Sequence, residues 1–353
     1  MRTDTYRSKL KLAAICGAMS ATLCVSAAAA KSKIIVFDAP GAGTTHGQGT
    51  KALGIAKDGT IAGQVSDSGS VYHGFIRTPD GTITNFDVPG AGTDPSQGTF
   101  TQGMSMDGHL AGYTISSAGG AHGFVRAPDG TTTTFDAPDG AKGTYPRGVN
   151  DFGDTVGSYT DVNNIMHCFL RTAEGTTTEF DPKTSTSCSG TSIDNKGVVD
   201  GSYAIPGGVH VGFVRKPNGK ITAFTPHGAA TTVAEGMNNT GEVTGEYVDG
   251  SSVAHGFLRD SMGNFTVFDA PNATATVGFG IAADGTTCGV SADSNNSAHG
   301  YARAPDGTMT VIDAPGAGTI ASTGTYAFAV NARIWVTGFM IDNAGVAHGF
   351  FSK

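Results

Sequence analysis

The stretch Tyr72-His73-Gly74-Phe75-Ile76-Arg77-Thr78-Pro79-Asp80-Gly81-Thr82-Ile83-Thr84-Asn85-Phe86-Asp87 constrains the fold more than any other feature of the chain. Pro79-Asp80-Gly81 separates two β-rich runs. Pro presets φ for the first corner, Asp tolerates the second, and Gly takes the positive φ of a bulge, so the stretch reads as a hairpin. A bulge at Gly81 sets Arg77 opposite Ile83, Phe75 opposite Asn85, Gly74 opposite Phe86 and His73 opposite Asp87. The chain then rewrites this hairpin. The first-strand aromatic returns as Phe124, Phe169, Phe213, Phe257, Tyr301 and Phe350. The second strand closes on Phe37-Asp38, Phe86-Asp87, Phe135-Asp136, Phe180-Asp181, Phe268-Asp269 and Ile312-Asp313, with Phe224-Thr225 as the variant. The aromatics recur every 44–49 residues, the period of a repeat architecture.

His and Asp keep a fixed spacing in the pairs His73/Asp87, His122/Asp136, His167/Asp181, His255/Asp269 and His299/Asp313. Where Val211 replaces the His, Thr225 replaces the Asp, and joint loss is what a direct contact predicts. His348 at one end and Asp38 at the other complete the set if the two ends pair. A catalytic site needs one constellation rather than near-copies around a ring. These residues are therefore expected to form a structural hydrogen-bond network, and no metal site is expected from them.

Each repeat reads as four short strands: Gly54 to Val65 supplies a strand, a Gly turn and a second strand, and the hairpin supplies the rest. Four strands in this length is the size of a propeller blade. Ile34-Ile35-Val36-Phe37-Asp38 is a fourth strand with no third before it, and His348-Gly349-Phe350-Phe351-Ser352-Lys353 is a third strand with no fourth after it. Pairing the two removes the open edges of a linear array. The expected fold is all-β: a seven-bladed β-propeller, four antiparallel strands per blade, over residues 31–353. The 53 Gly and 15% charged residues could suit disorder, but the alternation of Val, Ile, Thr, Phe and Tyr between Gly/Asp turns favours strands.

Residues 1–30 read as a secretory signal: Arg2, Arg7, Lys9 and Lys11, an apolar run from Leu12 to Val25, then Ala28-Ala29-Ala30. The apolar run is short for a membrane span. A secreted location, extracellular or periplasmic, follows as an expectation. Net charge is −8 with no basic run, which argues against nucleic acid as a partner.

The repeat resembles the bacterial extracellular repeat proteins named for their His-Ala-Phe motif, the HAF-repeat family. The residues that carry the likeness are His-Gly-Phe at 73–75, 122–124, 255–257 and 348–350, the variants His167-Cys168-Phe169 and His299-Gly300-Tyr301, and the Arg that follows at 77, 126, 171, 215, 259 and 303. Ser352 departs from it. The resemblance implies a secreted repeat protein and no particular reaction.

Function in a repeat protein sits in its departures from the repeat. Three consecutive connecting loops, 39–53, 88–102 and 314–328, are longer than the others and share Pro-Gly-Ala-Gly-Thr. They could form a raised wall for a ligand, or record a shared duplication. His46, Gln48, Gln97, Gln102 and Tyr326 are the binding candidates of that face. Glu235, Arg147, Tyr145, His46 and His227 are unmatched polar residues that could serve acid–base chemistry on a glycoside or sugar acid, or could simply be solvated. Asp67, Asp161, Asp249, Asp293 and Asp342 precede the third strands as expected Asx-turns. No cofactor is expected; Asp293-Ser294-Asn295-Asn296 leaves calcium open. Cys168 and Cys188 are the expected disulfide and Cys288 a buried small hydrophobe. The favoured reading is a secreted, monomeric, non-enzymatic propeller that binds an extracellular polysaccharide or surface protein on its loop face. The alternatives are a polysaccharide lyase or glycoside hydrolase on the same scaffold, and a structural cell-surface or matrix component.

Overall fold

The computed structural model describes residues 33–139 and 142–353. The expected signal segment, Met1 to Ala30, and its processing site before Lys31 lie outside the described residues. Every element among the described residues is a strand, and neighbouring strands in a group run antiparallel.

The hairpin forms in the register its turn dictates. Gly81 takes φ +98°, and Arg77 pairs with Ile83, Phe75 with Asn85 and Gly74 with Phe86. Strands Gly49–Ile55, Ile61–Ser66, Tyr72–Arg77 and Ile83–Phe86 make one four-stranded sheet. The same plan returns with first strands Gly98–Met104, Gly143–Val149, Ser187–Ile193, Ala229–Met237, Ala275–Ile281 and Gly324–Val330. In the last of these the fourth strand is Ile34–Phe37, paired with Ala347–Ser352 from Ile34↔Ser352 to Phe37↔Gly349. Each first strand lies against the first strand of the next sheet, and Gly324–Val330 lies against Gly49–Ile55. Four-stranded sheets meeting through their first strands are the arrangement of a β-propeller.

The recurring motif holds neighbouring sheets together. Phe75, Phe124, Phe169, Phe213, Phe257, Tyr301 and Phe350 are fully buried. Phe75 meets the edge of Phe37 from the preceding sheet at 6.0 Å between ring centres. Phe169, Phe213, Phe257 and Tyr301 repeat that contact on Phe135, Phe180, Phe224 and Phe268. The Arg two residues on then caps the same neighbouring ring: Arg77 stands 5.2 Å over Phe37 and Arg171 4.5 Å over Phe135. The Arg of the motif is thus a cation–π clamp between sheets.

Every first strand carries a β-bulge. Its register against the second strand slips after Ala52, Thr101, Pro146, Gly190, Ala234, Gly278 and Ala327. The extra residues are Leu53, Gln102, Arg147, Thr191, Glu235, Phe279 and Phe328. A bulge of this kind re-aims a side chain, and here it aims one residue per sheet towards the common axis.

The three long loops act as staples between sheets. Gly47 N–H donates to Gly345 O at 2.9 Å, Ser96 N–H to Ser70 O at 2.8 Å and Ser322 N–H to Asn296 O at 3.0 Å. Short parallel bridges follow at Gly49↔Ala347, Gly98↔Tyr72 and Gly324↔Ala298. Loops spent on a neighbouring backbone are not a free wall. The four-stranded sheets that start at Ser187 and Ala229 have no such bridge and stand apart from the continuous pairing of the rest. The former is tied instead by Cys168–Cys188, a disulfide across 20 residues of chain. Asn238 Nδ2 donates to Ala282 O at 2.9 Å, and Asn331 Nδ2 to Ala56 O at 2.9 Å, linking the sheets at the opposite end of the first strands.

Cutting that disulfide should cost stability through the freedom returned to the unfolded chain. Cys188→Ser is expected to lower unfolding free energy by about 3 kcal/mol, read as a shifted urea midpoint under non-reducing conditions. An unchanged midpoint would mean that the link contributes nothing the sheet contacts do not already supply.

Candidate ligand site in the channel

The bulge residues meet in a cavity of about 200 Å³ lined by Leu53, Gln102, Arg147, Thr191, Glu235, Phe279 and Phe328. Taken in chain order, the ring has one polar arc, Gln102 to Glu235, and one apolar arc, Phe279 through Phe328 to Leu53. Arg147 Nη2 lies 3.6 Å from Glu235 Oε2. Burial raises the Glu235 pKa, and the Arg147 guanidinium opposes that rise. Burial also raises the pKa of Glu246 in the next strand, with Glu235 adding to the effect.

Beside this arc is an acid at a position that is otherwise uncharged. Asp200 pairs with Ser192 across the bulge, where the corresponding residues are Ala62, Ala111, Val156, Thr244, Cys288 and Thr337. It is fully buried. Its Oδ1 accepts the Ser192 N–H at 2.7 Å, while Oδ2 has no partner. Burial pushes its pKa up to about 7 against the pull of the Ser192 bonds.

Above the polar arc, a concavity of about 340 Å³ opens between Gln102, Tyr113, Tyr145, Arg147, Ser158 and Ser189. An aromatic ladder forms its flank: Tyr72 to Phe100 at 4.4 Å, Phe100 to Tyr113 at 5.0 Å and Tyr113 to Tyr145 at 5.2 Å. Burial raises the Tyr113 pKa, and Tyr145 adds to it. On the apolar arc Phe279 stacks on Phe328 at 4.8 Å and Tyr326 on Phe339 at 5.0 Å. Lys51 stands 5.4 Å over Phe339, its pKa lowered by burial. The channel therefore offers flat apolar faces beside one ion pair and several neutral hydrogen-bonding groups.

Of the expected site residues, Arg147, Glu235, Tyr145 and Gln102 come together here. Glu235 lines the channel cavity. Tyr326 is half-buried in the apolar arc. Gln48 is buried and spends its amide on its own surroundings, accepting from Thr45 N–H and donating to Ser68 O and Ser70 Oγ. Gln97 accepts from Asp94 N–H at 3.1 Å. His46 is exposed on the first long loop against Gly345, and His227 is exposed in the loop before Ala229. Neither joins the channel group.

In the six hairpins that carry both, the His and the Asp are in contact. Nδ1 to carboxylate distances are 2.8 Å for His73–Asp87, 3.0 Å for His122–Asp136 and 2.6 Å for His167–Asp181. They are 2.9 Å for His255–Asp269, His299–Asp313 and His348–Asp38. The loop Asp accepts two backbone N–H groups in its Asx-turn, as Asp67 does from Gly69 and Val71. Its other oxygen faces Nε2 of the same His, at 3.6 Å for Asp67 and His73. Cys288 is buried and free, its thiol pushed up to about 12 by burial.

Sequence reasoning missed Asp200, Glu246, Lys51, Thr191, Phe279 and Phe328. Aligning the first strands on Gly54, Gly103, Gly148, Ser192, Gly236, Gly280 and Ala329 places all the bulge residues in one column, one position earlier.

No family model matches the chain, and no curated protein does. Among solved structures it is similar to a streptogramin B lyase, with 15% identity and TM-score 0.57 over 92% of this chain and 98% of that one. It is also similar to a catalytically inactive variant of virginiamycin B lyase from Staphylococcus aureus with quinupristin, with 14% identity and TM-score 0.59 over 92% and 100%. At these identities the likeness is one of fold, and it agrees with a propeller scaffold.

Asp200 makes stability depend on pH. Its folded-state pKa, about 7, lies above the ordinary 3.8, so the folded protein holds the proton more tightly than the unfolded chain. The stability this confers is complete below the lower value and is lost as pH rises towards the upper one. Asp200→Val, which installs the residue found at 156, should remove that fall and gain about 2–4 kcal/mol at pH 8. Urea unfolding of both proteins at pH 5 and pH 8 checks this; parallel behaviour of the two would refute it.

Proposed function

We propose that this chain is a secreted, closed seven-bladed β-propeller of the HAF-repeat type that binds a carbohydrate at the channel mouth without turning it over. The observation that carries this reading is the polarised bulge ring, in which Arg147 and Glu235 stand beside the Tyr72–Phe100–Tyr113–Tyr145 ladder. Aromatic faces accept the apolar faces of sugar rings, while Arg, Glu, Gln and Ser satisfy hydroxyls in directions that fix orientation. The pairing of Ile34–Phe37 with Ala347–Ser352 and the continuous contact of first strands support closure and the blade number. The net negative charge and the apolar run before Lys31 support secretion over nucleic-acid binding.

Gel retardation and calorimetry of the purified chain against a panel of neutral and acidic polysaccharides test the proposal. Saturable binding is expected, weakened about tenfold or more by Arg147→Ala and by Tyr145→Ala, and insensitive to His46→Ala. Binding that survives both channel variants would move the ligand elsewhere, and no binding to any glycan would favour a protein ligand.

One observation favours a second reading, a polysaccharide lyase or glycoside hydrolase. Glu235 carries a raised pKa next to a guanidinium, and Asp200 lies close behind it. A carboxyl whose pKa is raised by burial is a better proton donor than a solvated one, as general acid catalysis requires. New reducing ends or unsaturated uronic products that appear with the wild-type chain and vanish with Glu235→Gln would establish that reading. Full activity in both Glu235→Gln and Arg147→Ala would remove these residues from it.

A further inference from the structure

A second cluster of chemistry lies outside the channel, where the sheet that starts at Gly143 departs from its siblings. Its hairpin carries Glu179 opposite Phe169. The same place holds Asn85, Thr134, Ala223, Val267, Val311 and Val36 in the other sheets. Glu179 brings a third carboxylate to a histidine already held by two. His167 Nδ1 lies 2.6 Å from Asp181 Oδ2 and 3.9 Å from Glu179 Oε1, and its Nε2 lies 3.7 Å from Asp161 Oδ2.

We propose that His167 Nδ1 and the carboxylates of Glu179 and Asp181 bind one divalent first-row transition-metal ion, with zinc as the best match. One ligand atom from each of the three lies within 4.8 Å of the others. A small contraction closes that span onto an ion with bonds of about 2.0–2.2 Å. Imidazole with two carboxylates suits zinc or manganese better than calcium, which takes oxygen ligands only.

The surroundings have the form of a supporting shell. Asp161 is fixed by the N–H groups of Asn163 and Ile165 and faces the far ring nitrogen, so Nε2–H would point at a carboxylate while Nδ1 binds the ion. Asp181 Oδ1 accepts the Cys168 N–H at 3.0 Å. Tyr159 O–H donates to Glu179, and its ring stacks on His167 at 5.1 Å. Tyr247 stacks on His255 in the same way, but Val267 stands where Glu179 would be.

The cluster borders a groove of about 710 Å³ that also receives His122, Asp136, Asp139 and Lys142. Lys142 Nζ donates to Asn164 Oδ1 at 2.6 Å and, among the described residues, makes no ion pair with these carboxylates. The open side of the ion would face that groove. An ion bound at His167 Nδ1 would displace the proton from that nitrogen and release it to solvent.

The test is calorimetric titration of the metal-stripped full chain with zinc chloride. Reductant is omitted so that Cys168 and Cys188 stay joined. One ion per chain is expected, with proton release that changes with buffer. Glu179→Val, which installs the residue of three sibling sheets and should therefore fold, is expected to weaken binding about tenfold or more. Tyr159→Phe keeps all three ligands and is expected to weaken it less. No saturable binding would overturn the proposal. So would several ions per chain with Glu179→Val unchanged, because the ions would then sit on the His–Asp pairs common to the other sheets.

Discussion

The close approach at Gly63 is the constraint on which the architecture rests. A β-carbon there would lie 2.0 Å from Lys51 O and 2.8 Å from the Phe75 ring. The bulge turns that carbonyl across the sheet, so only a residue without a side chain can face it. The buried aromatic fills the space beneath. Gly112, Gly157, Gly201, Gly245, Gly289 and Gly338 stand in the same vice: a β-carbon on any of them would lie 1.9–2.2 Å from a first-strand carbonyl oxygen. Glycine, bulge and aromatic are one device. Removing any member would strain the sheet and displace the residue that the bulge presents to the axis.

This device separates two tasks that usually compete. The hairpin motif, with its aromatic, Arg, His and Asp, is spent on joining sheets, and it is nearly the same everywhere. The bulge residue makes little demand on that packing, because it projects into the channel cavity rather than between sheets. It is therefore free to vary, and it varies from Leu53 to Arg147 to Phe328 on an almost constant backbone. The chemistry of the channel is set by seven positions that the fold holds but does not choose.

The hairpins were legible in the sequence because Pro79-Asp80-Gly81 fixes a turn and the turn fixes a register. The partnership of Ile34–Phe37 with Ala347–Ser352 was legible because each end lacks what the other supplies. The convergence of Arg147 on Glu235 was only half legible. Their types stood out, but 88 residues separate them, and the bulge that aims both inward depends on hydrogen-bond register, which no residue type announces. Asp200 was missed for a related reason: an acid in a strand looks exposed until the packing of two sheets buries it. Length alone left the long loops open between a ligand wall and a shared duplication, because it does not show where a loop's N–H groups go; here some of them reach a neighbouring sheet. Gln48 and Gln97 were picked out as polar, yet their amides complete the loops themselves.

The strand pairing that joins the two ends of the chain has a consequence for how such a repeat array changes length. His348 and Asp38 meet across 310 residues of intervening chain, and the entropy of closing a loop grows only with the logarithm of its length. Inserting one more 44-residue unit, the spacing between Asp107 and Asp151, would raise that cost by about 0.1 kcal/mol. The latch is therefore almost indifferent to the number of units it encloses. Gene duplication could therefore lengthen the array at little cost to the pairing of its ends.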